Sequence, residues 1–176
     1  MQSFRARVSM FVSFGLVVAV SAFAGGTEVT TCGGLVARGK AVLVADLDCS
    51  NAGVSALRLD KASLRLNGHT LITPTANAAV DCIGNCEVYG PGTITGSGSG
   101  IVARRVLKVK DVTLTVGGTG IALSESTLGK GKGLIRRTTI TGATVGIDTK
   151  LPVRVFDSTI VGSQVSGIES LSLIHI

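Results

Sequence analysis

Four segments of this chain align without gaps: Thr93-Ile94-Thr95-Gly96, Thr113-Leu114-Thr115-Val116, Thr139-Ile140-Thr141-Gly142 and Thr159-Ile160-Val161-Gly162. Each is followed several residues later by a Gly-Ile step, at Gly100-Ile101, Gly120-Ile121, Gly146-Ile147 and Gly167-Ile168. The apolar centres lie 20, 26 and 20 residues apart (94 to 114, 114 to 140, 140 to 160). A looser copy, Gly68-His69-Thr70-Leu71-Ile72, places Leu71 23 residues before Ile94. Side chains alternate faces along a strand, so Ile94, Leu114, Ile140 and Ile160 share one face and their Thr neighbours share the other. Gly, Ser and Asp bound each segment, which keeps the strands short. A period of 20 to 26 residues holds three short strands and three turns. Stacked coils put equivalent residues about 4.8 Å apart. The aliphatic centres then form one inward column and the Gly-Ile isoleucines another. A single coil cannot bury its own apolar side, so several are needed together.

Other periodic architectures fit less well. A leucine-rich repeat needs L-x-x-L-x-L-x-x-N at a steady period, and a propeller blade needs about 40 residues. Variable coil length is natural to a β-helix, because extra residues bulge out as turns. The 26-residue step places its extra residues around Ser126 to Gly133, where Gly129-Lys130-Gly131-Lys132-Gly133 reads as such a loop.

The two ends read differently from this body. Residues 1–24 are expected to be a secretory signal peptide: Arg5 and Arg7 form the basic start, Met10 to Val20 the apolar stretch, and Ala22-Phe23-Ala24 the cleavage site. The apolar stretch is too short for a membrane span, and no later segment is long and apolar enough for one. At the other end, Leu171-Ser172-Leu173-Ile174-His175-Ile176 breaks the pattern. It matches the in-frame translation of CTGTCTCTTATACACATC, which resembles a transposon mosaic end used to prepare sequencing libraries. The expectation is that residues 171–176 are a non-native tail, that the β-helix is C-terminally truncated, and that its last coil leaves an apolar end uncovered and strand edges unpaired. Residues 25–56 are expected to form an N-terminal cap or first coil, and 57–170 the repeats.

Composition narrows the class further. The chain has 24 Gly, 3 Pro and no Trp, which suits tight corners and β-structure rather than helices or a disordered linker. Removing the two leader arginines takes the formal charge from +6 to +4. That mild excess permits an anionic partner such as an acidic polysaccharide or cell-surface glycan. Aromatic residues make up 3%, too few to stack single-stranded nucleic acid. Four cysteines in an exported chain point to disulfides, paired here as Cys32 with Cys49 and Cys82 with Cys86, with the two crossed pairings as alternatives. Cys82-Ile83-Gly84-Asn85-Cys86 is a loose fit to a zinc site and has no second ligand pair, so no metal and no cofactor is expected. The sequence is silent on oligomeric state.

Asp46-Leu47-Asp48-Cys49, Leu64-Arg65-Leu66-Asn67-Gly68-His69-Thr70-Leu71 and Gly90-Pro91-Gly92-Thr93-Ile94-Thr95-Gly96 resemble bacterial exported proteins with right-handed parallel β-helix repeats, of the pectin-lyase-like superfamily. The resemblance covers about residues 31–170. It implies an all-β, single-stranded, right-handed parallel β-helix (solenoid) located in the periplasm, outside the cell or at its surface. These motifs are core and turn positions, so they specify fold rather than activity.

Members of that superfamily act through clustered acids holding calcium with an arginine base, or through several Asp on one face. Here Asp60, Asp81, Asp111, Asp148 and Asp157 fall in different coils, and none of the family's catalytic motifs maps onto a residue. Asp111, Arg137 and Asp157 share a register and read as an ion-pair ladder along a turn. His69, the one histidine of the body, lacks a nucleophile or carboxylate constellation and reads as a corner residue. Gly96-Ser97-Gly98-Ser99-Gly100 reads as a turn rather than a phosphate cradle.

Two surface features remain as candidate binding sites. Lys108 and Arg154 share one outward register, with Leu134 between them, and Lys110, Arg136 and Phe156 share the next, making a basic strip for an anionic glycan. Thr93, Thr113, Thr139 and Thr159 form one outward column, and Thr95, Thr115 and Thr141 a second, ended by Val161. This flat array resembles the face of β-solenoid ice-binding proteins, although Thr also has good strand propensity. The leading expectation is a non-catalytic secreted β-helix that presents a binding surface. The alternatives are a polysaccharide lyase or glycoside hydrolase whose catalytic coils are missing from this fragment, and an ice binder.

Overall fold

The computed structural model describes residues 26–124 and 131–170. Residues 1–25, with the expected signal peptide, residues 125–130, with most of the expected loop, and the expected tail 171–176 lie outside them. The described residues contain no helix. They form a parallel β-solenoid of about 6 turns.

In chain order the strands are β1 (Thr27–Val29), β2 (Gly34–Leu43), β3 (Leu47–Asp48), β4 (Leu57–Arg65), β5 (Thr70–Ile72), β6 (Ala78–Cys82), β7 (Cys86–Tyr89), β8 (Thr93–Gly96) and β9 (Ser99–Ala103). They continue as β10 (Val106–Lys110), β11 (Thr113–Val116), β12 (Thr119–Leu123), β13 (Lys132–Arg136), β14 (Thr139–Thr141), β15 (Val145–Thr149), β16 (Val153–Phe156), β17 (Thr159–Val161) and β18 (Ser166–Ser170). Every pairing is parallel, and all but that of β1 with β2, whose partners are 14 residues apart, join strands one coil apart. Wall A stacks β6, β9, β12, β15 and β18; wall B stacks β7, β10, β13 and β16; wall C stacks β3, β5, β8, β11, β14 and β17. The long strand β4 bends across the first two walls. Its Leu57–Leu59 pair with β6, and its Ser63–Arg65 pair with β7. Lys61 turns that corner at φ 51°, in the left-handed region.

The period-2 alternation puts at least one aliphatic column behind each wall. Behind wall C run Leu47, Leu71, Ile94, Leu114, Ile140 and Ile160 in direct register. Behind wall A run Leu57, Val80, Ile101, Ile121, Ile147 and Ile168. Behind wall B run Ala41, Leu64, Val88, Val109, Ile135 and Val155. Ile94, Leu114, Ile101 and Ile121 are fully buried. Burying such a side chain contributes roughly 1.5–3 kcal/mol, so stacking coils is the main stabilising event.

The glycines of the Gly-Ile steps have a packing reason. A Cβ on Gly120 would sit 2.4 Å from the Gly146 carbonyl oxygen and 2.6 Å from Ile140. Gly100 and Gly146 meet the next coil in the same way. Only a bare Cα lets the wall A backbone close over the wall C column.

Two expectations are corrected. Lys132 and Gly133 are not loop residues, because they open β13. Gly133 lies in the inward column between Leu107 and Val153, where a Cβ would approach Val153 to 2.3 Å. Cys82 and Cys86 are not bonded to each other but are free, buried thiols. Cys82 ends β6 in a column between Leu59 and Ala103, while Cys86 opens β7 under Leu107. Alternation turns both side chains into the core, and the Cys86 thiol donates to the Leu59 carbonyl at 3.5 Å. The other pair is bonded: Cys32–Cys49 closes a separation of 17 residues with the Cα atoms 5.7 Å apart.

Candidate functional site

Wall B carries the basic strip. One outward column reads Ser63, Glu87, Lys108, Leu134 and Arg154; its neighbour reads Arg65, Tyr89, Lys110, Arg136 and Phe156. The structure therefore brings Lys108, Lys110, Arg136 and Arg154 onto one wall. It adds Arg65 and the Tyr89 ring to the registers expected from the sequence, and it keeps Phe156 in the second of them. It also adds one acid: Glu87 accepts from Lys108 Nζ at 2.7 Å and from the Tyr89 hydroxyl at 2.7 Å. The ammonium and the phenol hold the Glu87 carboxyl below its usual range. In return, the Glu87 carboxylate raises Lys108 and Tyr89. The Arg65 guanidinium lies 5.9 Å from the centre of the Tyr89 ring.

Corner acids temper the strip. Lys110 lies 3.7 Å from Asp111, and Arg136 lies 3.7 Å from Asp157. Arg154 makes no ion pair among the described residues. A shallow recess of about 350 Å³ opens across β10, β13 and β16, with Lys108, Lys132 and Arg154 around Leu134 and Pro152. Cations around an apolar floor suit a ligand with both anionic groups and apolar faces.

Wall C carries the threonines. Thr70, Thr93, Thr113, Thr139 and Thr159 stand in one column, so the looser upstream copy extends it by one coil. Thr95, Thr115 and Thr141 stand in the second, between Ile72 and Val161. The column grows more exposed along the solenoid, from half-buried Thr70 and Thr93 to exposed Thr113, Thr139 and Thr159.

The remaining candidates are corners. Arg137 grips Asp111 through Nε and Nη2, but Asp157 is met by Arg136 rather than by Arg137. His69 lies 3.5 Å from Asp46, whose carboxylate also accepts from the Thr70 backbone N–H at 2.7 Å. On wall A the structure assembles a cluster not foreseen from sequence. Asp81 accepts from Arg104 at 2.8 Å, with Arg58 at 3.7 Å, beside a cleft of about 300 Å³ lined by Ser55, Asn77 and Ser99. The signal was available: 58, 81 and 104 are each 23 apart, and 87 and 108 are 21 apart, both close to one coil. Among the described residues no three His, Cys, Asp or Glu side chains come together as a metal site, and no helix is long and apolar enough to cross a membrane.

No protein-family model, curated protein or solved structure matches this chain.

Proposed function

We propose that this protein is an exported, non-catalytic β-helix of the pectin-lyase-like kind, wound right-handed, that binds an acidic polysaccharide along wall B. The observation that carries this reading is the pair of adjacent outward columns, with five cations (Arg65, Lys108, Lys110, Arg136, Arg154) against one acid, Glu87. Tyr89 and Phe156 stand three coil steps apart in the second column, about 14 Å at the strand spacing, with Lys110 and Arg136 between them. A polymer with regularly spaced anionic groups and apolar ring faces meets such a periodic surface at several points at once. The cations supply long-range attraction and the rings supply flat apolar contact. The Cys32–Cys49 disulfide suits an oxidising compartment outside the cytoplasm.

The test is binding of the purified protein to an acidic and a neutral polysaccharide, by affinity electrophoresis at two salt concentrations. The expected result is retardation by the acidic polymer alone, weakened by salt. Replacing Lys108, Lys110 and Arg136 together with Gln should weaken it by about tenfold or more. Equal retardation by the neutral polymer, or an indifferent triple variant with an unchanged circular dichroism spectrum, would rule the reading out.

A second reading rests on wall C. Five threonines in one column, with three more beside them, present a repeating flat array that favours ordered water, and hence ice. Its test is thermal hysteresis at high protein concentration. Absence of both hysteresis and crystal shaping would remove it.

A further inference from the structure

The two outward columns of wall B differ in what their charges are free to do. Over the four coils of β4, β7, β10 and β13 the first column reads Ser63, Glu87, Lys108 and Leu134, and the second reads Arg65, Tyr89, Lys110 and Arg136. The first therefore holds one acid and one base, and the second holds three cations and no acid. The pair in the first column is closed. Lys108 Nζ donates to Glu87 Oε1 at 2.7 Å, and the Tyr89 hydroxyl donates to Oε2 at 2.7 Å, so both carboxylate oxygens are taken. An ammonium with a carboxylate so close presents a dipole to its surroundings, and a second carboxylate brought to it is repelled by the first. The cations of the second column are held more loosely. Lys110 lies 3.7 Å from Asp111, whose two oxygens already accept from Arg137 at 2.6 and 3.0 Å. Arg136 lies 3.7 Å from Asp157. The Arg65 guanidinium lies over the Tyr89 ring, 5.9 Å from its centre, while the bond to Glu87 ties the Tyr89 hydroxyl toward the first column.

We propose that Glu87 directs an acidic polysaccharide onto the second column, by cancelling Lys108 and by anchoring Tyr89 beside Arg65. This role rests on the reading of wall B as an acidic-polysaccharide surface, and it adds the course of the chain. The polymer runs along the solenoid axis over Arg65, Tyr89, Lys110 and Arg136, crossing one coil about every 4.8 Å. Its anionic groups meet Lys110 and Arg136, and an apolar ring face meets Tyr89. Lys108 stays with Glu87 and takes no part. Along the first column the same polymer would meet the carboxylate of Glu87 and the aliphatic side chain of Leu134.

Affinity electrophoresis of the purified protein in gels containing carboxymethylcellulose, at several salt concentrations, tests this. Glu87→Gln should tighten binding about threefold or more, because Lys108 is released, and should steepen the salt dependence by about one charge. Lys110→Gln should weaken binding about threefold or more, whereas Lys108→Gln should change it less than about twofold. In the Glu87→Gln background, Lys108→Gln should cancel the gain, which a merely structural role for Glu87 would not produce. Two results overturn the proposal: Lys108→Gln weakening binding as much as Lys110→Gln does, or Glu87→Gln binding no tighter than the original protein. The first comparison leaves Glu87 in place, so it decides the matter even where loss of Glu87 disturbs the fold. Failure of the unaltered protein to bind the polymer at any salt concentration removes the polysaccharide reading itself, and the role of Glu87 with it, so the two failures are told apart.

Discussion

Arg137 donates from Nε and Nη2 to the two carboxylate oxygens of Asp111, at 2.6 and 3.0 Å, one coil apart on the corner between walls B and C. Both residues hold left-handed backbone, at φ 47° and 59°. The guanidinium keeps the Asp111 carboxyl below its usual range. A depressed carboxylate contributes stability above its unfolded pKa, near 3.9, and loses it as pH falls through the folded value. The melting temperature should therefore fall on acidification below about pH 4, and less steeply in Asp111→Asn. Melts from pH 5 to 2 check this. Parallel curves for the two proteins would show that the pair contributes nothing.

The inward columns set the size of core effects. Leu114 is fully buried between Ile94 and Ile140. Leu114→Ala should cost about 2–5 kcal/mol in urea unfolding. A loss below about 1 kcal/mol would mean that the wall C column is not close-packed.

Gly120 and Gly53 make a paired comparison. Alanine at Gly120 drives its Cβ against the Gly146 carbonyl, whereas at Gly53 nothing lies within 4 Å. The first should cost about 1–3 kcal/mol and the second less than about 0.5. Equal losses at the two sites would contradict the close approach of the coils.

The cysteines differ in chemistry. Cys32 and Cys49 close a 17-residue separation, so replacing both by Ser should cost about 3 kcal/mol in the chain-entropy description. Cys82 and Cys86 are buried, and burial pushes the Cys82 thiol well up. Alkylation of the native protein should leave both untouched, and denaturation without reductant should release two reactive thiols. Intact mass after each treatment gives the count, and no alkylation after denaturation would show a second disulfide.

Much of this architecture was legible in the chain because a solenoid maps coil length directly onto neighbour distance. Ile94, Leu114, Ile140 and Ile160 occur at that spacing and stack in that order. The wall B register of Lys108 with Arg154, and of Lys110 with Arg136, followed from the same arithmetic. What escaped depended on facts local to a corner. Cys82 and Cys86 flank three residues and look like a clasp, yet the phase of β6 and β7 turns both inward. Gly133 sits in a glycine-rich run whose composition says loop, yet its missing Cβ makes room for Val153. The strip's acid, Glu87, lies one coil before Lys108, 21 residues upstream and outside the aligned registers that begin at Lys108.

The Cys32–Cys49 bond has a mechanical consequence. Each coil grips only the one before and the one after it, so traction on the chain strips the structure layer by layer from whichever end yields first. At the amino-terminal end a covalent tie holds the start and finish of the first layer together, and the opposite end has no such tie among the described residues. Under load the span between Cys32 and Cys49 should therefore resist being drawn out, while coils that carry no such tie peel away one by one.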